Sequence, residues 1–300
     1  MSDATKAHGW QPMGLKRGQQ DPAWVRWTLT LLAIGVLTVL VIVPVVNVFA
    51  QALASGVRVY WDNLFADRET RHAILLTLAV APIAVFANVL FGIAAAWAIA
   101  RFRFPGRTLL VTLIDLPFAV SPVVAGLAYI LVFGASGYLG PLLAALHVRI
   151  IFAVPGLILV TTFVTLPFVA RELIPLMEAL GPEEEMAALS LGANGWQIFA
   201  RVTLPNVQWG LLYGVILCNA RAMGEFGAAY VVSGKISGAT DTMPLRVEKL
   251  MMEYNTPGAF ALASVLTLLA GMTLLLKVAI ERKLREQTKP SDGNRLGESA

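Results

Sequence analysis

Residues 171–208 read RELIPLMEALGPEEEMAALSLGANGWQIFARVTLPNVQ and lie between two apolar runs. Gly181-Pro182 predicts a helix stop followed at once by a start, because glycine suits a C-terminal cap and proline a first helical turn. Glu183, Glu184 and Glu185 then fall in that first turn, where carboxylates complement the helix dipole. Met186, Ala187, Ala188, Leu189 and Leu191 continue the helix, and Gly192 suits its C-terminal cap. A second short helix holds Trp196, Ile198 and Phe199, and Leu204-Pro205 opens the next apolar segment. A segment this short buries no core of its own. Its apolar face rests on neighbouring helices or on a partner.

Outward from this connection the chain is a series of charge-free runs. Residues 27–57, 72–100, 116–148, 150–170 and 254–276 contain no Asp, Glu, Lys or Arg. Each is long enough to cross a bilayer, which takes about 20 residues. A further run near 209–232 is interrupted by Arg221 and Glu225. Six spans follow, near 27–50, 73–100, 109–133, 150–170, 209–232 and 258–280. The composition agrees: 57% of residues are hydrophobic and 14% charged, against roughly half and a quarter in soluble domains. Disorder and an ordinary soluble enzyme are both excluded. Lipid satisfies no backbone hydrogen bond and the runs do not alternate as barrel strands do, so the fold class is all-α and polytopic.

The first run, Trp27 to Phe49, exceeds the ~7–15 residues of a signal-peptide core. Residues 1–26 and 281–300 read as polar tails around one membrane domain, 27–280, which contains the 171–208 loop. With the N-terminus inside, the predicted cytoplasmic parts hold fifteen of the 23 Lys and Arg, the outer loops seven, and Arg221 lies in a span. That bias places both termini in the cytoplasm. Arg101, Arg103 and Arg107 give the sharpest local signal and read as orienting charges, since no nucleic-acid or lipid motif accompanies them. Three histidines in separate parts of the chain and the single Cys218 allow neither an internal disulfide nor a Cys/His metal site. Cys218 reads as a small core residue.

Two places within the spans are candidates for function. Arg221 lies about 18 Å into its span at the usual helical rise, and Glu225 follows on the same face. Intramembrane ionisable groups face a bundle interior or a watery cavity. Either the two neutralise each other and pin the packing, or Arg221 meets an anion in such a cavity. Gly224 and Gly227 would allow close helix packing there. In the third span Asp115, Pro117, Ser121 and Pro122 interrupt the helix. They mark either a packing kink or the wall or gate of a pathway, since non-helical backbone at membrane depth is tolerated where it is buried or lines a cavity.

The loop resembles the EAA loop of bacterial ABC importer permeases. Ala187-Ala188, Gly192 after three residues, and Val202-Thr203-Leu204-Pro205 after nine more reproduce the family's spacing, between the fourth and fifth of six spans as in the family. Met186 stands where the family has Glu, and Glu185 comes one residue earlier, about 100° round the helix. Three segments extend the likeness: IDLPFAVSPVVAGL (114–127), LPNVQWGLLYGVILCNARAMGEFGAAYVVSG (204–234) and MPLRVEKLMMEYNTPGAFALAS (243–264). They resemble the W-type membrane subunit of bacterial sulfate/thiosulfate importers, and residues 221–227 resemble molybdate permeases as well.

The resemblance implies an inner-membrane permease fold with a coupling helix around 183–199 that docks on a cytoplasmic ATPase. It implies import of sulfate, and of thiosulfate, by alternating access, with molybdate or tungstate as the related alternative. Its partners would be a T-type permease subunit, two ATPase copies and an extracytoplasmic binding protein; a homodimer also fits the spacing. The chain itself carries no phosphate-binding loop, because the run at Gly234-Lys235 has Ala229 and Ile236 at the two other required positions. ATP and Mg are therefore expected on the partner ATPase, with no cofactor and no catalytic residue here. An ion-coupled secondary transporter has only Asp115, Arg221 and Glu225 to use as relays and leaves the loop without purpose. A membrane-embedded enzyme lacks a nucleophile–base or metal constellation.

Overall fold

The computed structural model describes residues 22–287, with side chains to 279. All its regular elements are helices. Thirteen are numbered here. Helix α1 is Ala23–Leu53 with a π-helical turn at Thr38–Ile42. Then come α2 (Val57–Phe65), α3 (Arg68–Arg101), α4 (Arg107–Ala119), α5 (Pro122–Phe133), α6 (Gly140–Ala145) and α7 (Val154–Leu180). The remainder are α8 (Glu183–Ser190), α9 (Gly195–Ile198), α10 (Leu204–Met223), α11 (Gly227–Val232), α12 (Met243–Met252) and α13 (Thr256–Gln287). The chain divides into two units, Met1–Asn47 and Val48–Ala300. The described part of the first is apolar helix with no buried residue.

The second unit is built around α3 and α7, which pack closely along their lengths. Gly92 makes this approach possible, since a β-carbon there would sit 2.7 Å from Val169 Cγ1. Helix α10 lies on both, and Val85, Ala96, Val169, Leu173, Met177, Val207 and Cys218 form the shared core. Asn88 is fully buried there and donates to Thr165 Oγ1 at 2.8 Å, tying α3 to α7 with a polar bond. Helix α4 packs on α7, α5 on α11, and α12 and α2 on α13.

Among the described residues four helices are long and apolar enough to cross a membrane: α1, α3, α7 and residues 256–279 of α13. The expected third span is two helices, α4 and α5, bent by 110° at Val120–Ser121; counted as one broken span it makes five. The bend follows from Pro122, which occupies the first turn of α5 and forces the residue before it out of the helical region. The expected fifth span, 209–232, is α10 and α11, separated at 224–226 and not among the apolar helices. Asn206, Gln208, Asn219 and Arg221 dilute its apolar content.

The expected 171–208 loop begins inside a helix. Helix α7 continues past Arg171 to Leu180, because Ala170, Leu173 and Met177 carry its buried face onward and Arg171 finds Asp115. It stops at Gly181, whose φ of 68° ends the helix. Helix α13 likewise runs past the expected end at 280, to Gln287. Most of both expected tails lies outside the described residues.

Candidate functional site

The loop site is built by three helix ends. Helix α8 begins after Pro182 with Glu183, Glu184 and Glu185 in its first turn. Gly192 closes it with φ 86°, its N–H donating to Leu189 and that of Ala193 to Ala188. Asn194 and Gln197 form a reciprocal capping box that starts α9, and a π-helical turn, Phe199–Thr203, leads into α10. The two short helices expected from the sequence are both present, with Trp196 and Ile198 in the second.

Glu185 does not face outward. Its carboxylate accepts from Arg101 Nε at 2.9 Å and from Thr203 Oγ1 at 2.8 Å. Arg101, at the end of α3, also donates to the Met177 carbonyl at 2.7 Å. The Arg101 and Glu185 side chains are 11% and 16% exposed. One residue's shift from the family's Glu position therefore turns this acid into an anchor joining α3, α7, α8 and the root of α10. Glu184 pairs with Asn206 of α10. Trp97 packs on Phe199 (5.7 Å between rings), which packs on Trp196 (5.7 Å). Arg107 pairs with Glu178, so two of the three orienting arginines are structural ties.

Other side chains of the loop are open. Met186, Leu189, Leu191 and Trp196 are exposed, Leu191 at 89% and Trp196 at 74%. Glu183, Ala187, Gly192 and Pro205 are exposed, and Ala188 and Leu204 are half-buried. Of the ten residues expected to couple, Glu185 is thus held inward, and the exposed ones include the apolar Met186 and Trp196 beside the charged Glu183 and Glu184.

The membrane candidates fall into two groups. Arg221 and Glu225 form the expected pair, at 2.7 Å with angles outside hydrogen-bond geometry. The Glu225 side chain is buried and its other oxygen accepts from Ala228 N–H at 2.9 Å. It thus satisfies a donor at the start of α11, a second task the spacing alone does not disclose. Arg221 keeps 36% of its side chain exposed. Pro122 and Gly227 meet where α5 packs on α11: a β-carbon on Gly227 would lie 3.1 Å from Pro122 Cβ. Gly126 does the same from the other helix, 2.9 Å from Val231 Cβ. Gly224 does not serve close packing; nothing but its own helix lies within 4 Å of its place for a β-carbon. Ser121 is exposed at the bend and caps with no side-chain bond. Asp115 belongs elsewhere, 3.0 Å from Arg171, whose guanidinium also lies 5.1 Å above the Phe118 ring. Pro117 is buried in α4. Cys218 is buried in the core, and Asn219 donates to Met223 Sδ of its own helix.

One cluster escaped the sequence reading. Arg246 in α12 is 6% exposed and meets Asp67 at 2.9 Å, Glu69 at 2.8 Å and Glu253 at 3.7 Å. Asp67 also caps α3, accepting from the N–H groups of Glu69 and Thr70. Burial works against the Asp67 carboxylate, yet the bonds from Thr70, Arg246 and the Glu69 N–H outweigh it and hold its pKa below the ordinary 3.8. With Met243, Leu245 and Leu250 buried, 243–253 is a packed cap. Its signal lay 179 residues apart in sequence and had no local pattern.

This braced loop on a bundle of apolar helices defines a multi-pass membrane transport subunit. The chain belongs to the family of binding-protein-dependent transport system inner membrane components, which matches residues 88–286. It is similar to the sulfate transport system permease protein CysW of Escherichia coli (strain K12), with 51% identity over 92% of this chain and 94% of that one. CysW of Synechocystis sp. is also 51% identical, over 86% of this chain and 94% of its own. CysT of Escherichia coli (strain K12), a sulfate transport system permease protein too, is 39% identical over 73% of this chain and 78% of its own. In fold the chain is similar to a chain of a bacterial alginate ABC transporter crystallised with its periplasmic protein (TM-score 0.71, 16% identity, 89% and 96% covered).

Proposed function

We propose that this chain is one of two membrane subunits of an ATP-driven importer that carries sulfate, and thiosulfate, into the cytoplasm. It crosses the inner membrane six times with both termini inside, the α4–α5 and α10–α11 pairs each serving as one broken span. The observation that carries the coupling is a loop braced at some positions and open at others. Glu184, Glu185 and Phe199 tie α8 and α9 to three helices, while Met186, Leu189, Leu191 and Trp196 stay open for a partner. A lever must be stiff on the side it moves and sticky on the side that moves it; it biases a two-state bundle only if its contact differs between the states. ATP and Mg belong to that partner, and this chain makes and breaks no covalent bond.

The substrate follows from the CysW relatives, and their CysT counterparts supply the expected second subunit. An extracytoplasmic binding protein delivers the anion. Within the membrane, Glu225 is committed to Arg221 and to α11, so the pair first fixes the break between α10 and α11. The exposed remainder of the Arg221 guanidinium is the part free to meet a dianion, for which its planar fork is suited. Uptake of radiolabelled sulfate in cells lacking this chain tests the reading. Restoration by the intact chain, with weak competition from molybdate, is expected. Unchanged sulfate uptake with lost molybdate uptake would move the substrate, and uptake without ATP would replace the importer by a secondary transporter.

A further inference from the structure

Helix α2 has two faces. Tyr60 and Leu64 turn inward, Leu64 fully buried and Tyr60 3.1 Å from Ser264 of α13. Val57, Trp61 and Phe65, spaced four apart and therefore on one side of the helix, turn outward with 61%, 52% and 56% of their surface exposed. The Trp61 and Phe65 rings stack at 5.4 Å, forming a continuous aromatic plate. An exposed plate of this kind in a membrane protein needs an occupant.

Its place in the chain says which. Helix α2 follows the apolar helix α1 by three residues and precedes α3 by two, and both flanking helices are long and apolar enough to cross a membrane. Tethers that short hold α2 at the membrane boundary, and the bond to Ser264 lays it along the outer end of α13. Charge points the same way. Asp67 and Glu69 are taken up by Arg246 at 2.9 and 2.8 Å. Arg58, Arg68 and Arg71 remain exposed; Arg58 has only Asp62 at 4.0 Å, and the other two make no ion pair among the described residues. A helix with an aromatic plate on one side and arginines beside it matches the boundary between acyl chains and phosphates.

We propose that α2 is an interfacial anchor. Its Val57–Trp61–Phe65 face is seated at the acyl–headgroup boundary of the outer leaflet, and Arg58, Arg68 and Arg71 bind the phosphates of anionic lipid. The anchor fixes α13 and the start of α3 against the bilayer. It rests on the proposed orientation with the N-terminus inside, and stands or falls independently of the transported anion.

The test is tryptophan quenching in vesicles holding the chain with its co-expressed subunits. The Trp61 signal is the difference between the wild type and Trp61→Phe. Phosphatidylcholine brominated high on the acyl chain should remove at least half of it, and lipid brominated near the chain ends clearly less. Brominated phosphatidylglycerol should quench at least twofold better than the matching phosphatidylcholine, and the triple variant R58Q/R68Q/R71Q should bring that ratio to one. A Trp61 signal untouched by either depth would mean a protein surface covers the plate, and would overturn the proposal. Stronger quenching from the deep position would overturn the interfacial placement. A lipid ratio near one in the wild type, or one unchanged in the triple variant, would overturn the anionic-lipid part.

Discussion

Replacing Glu185 by Ala should loosen the coupling loop before it affects anything else. The change removes an acceptor held by Arg101 at 2.9 Å and by Thr203 at 2.8 Å, and leaves an 11%-exposed guanidinium with only the Met177 carbonyl. Removing one partner of a fully buried pair costs ~3–5 kcal/mol, whereas an exposed pair is worth ~0.2–1 kcal/mol. The pair is slightly exposed and Arg101 keeps one bond, so about 2–3 kcal/mol is expected. The loss should be local, because the α3–α7–α10 core does not involve Glu185. Hydrogen exchange of amides in 183–203 reads local opening directly. At 1.4 kcal/mol per decade those amides should exchange roughly 30- to 150-fold faster, while those of α3 and α7 near Asn88 stay unchanged. Glu185→Gln keeps one acceptor oxygen and the side-chain volume but puts an NH2 donor in place of the other, so it should accelerate exchange less than Glu185→Ala does. Arg101→Met combined with Glu185→Ala should cost clearly less than the sum of the two. An unchanged loop in Glu185→Ala, or strict additivity of the pair, would refute the anchoring argument.

Asp on the open face of the loop, as in Leu189→Asp with Trp196→Asp, should leave the chain folded and abolish ATP-dependent uptake; retained uptake would place the partner contact elsewhere. Gly126→Val should force α5 from α11 at a cost of about 1–3 kcal/mol, read as a lower temperature of detergent-induced aggregation and lost uptake, given the 2.9 Å to Val231 Cβ. Arg246→Met strands Asp67 and Glu69 beside a buried methionine, and should expose 243–253 to protease while the loop at 183–203 keeps its exchange rates. For Asp67 the folded pKa lies below the unfolded one, so its contribution to the cap is complete above about pH 4 and is lost as pH falls through the folded value. Protease resistance of 243–253 should accordingly hold from neutral pH down to about 4 and drop below it, and Asp67→Asn should be weak at every pH.

How much of this was legible in the sequence depended on distance along the chain. Stops and starts around Gly181, Gly192 and Leu204 rest on local backbone chemistry, and the structure has them there. Arg221 and Glu225 were readable as a pair because four residues is one helical turn. The interruption at Pro117–Pro122 was readable as a break, though its 110° angle was not, because angle is set by what α5 packs against. Arg171 and Glu172 end the charge-free run while α7 goes on to the stop at Gly181, and the pairing of Arg171 with Asp115, 56 residues earlier, has no local signal. Gly224 was expected to pack closely merely as a neighbour of Gly227, and faces open space instead. The ties of Arg101 to Glu185 and of Arg246 to Asp67 join residues far apart in sequence, for which a single chain offers no pattern.

The central claim is that the chain turns a push on α8 and α9 into movement of an anion. Its most direct measurement is ATP-dependent accumulation of radiolabelled sulfate in vesicles containing this chain, its partner permease, the ATPase and the binding protein, compared with the same assembly lacking residues 183–199. The account predicts accumulation with the intact loop, and none without it although the other subunits still hydrolyse ATP. Equal accumulation by both would contradict it.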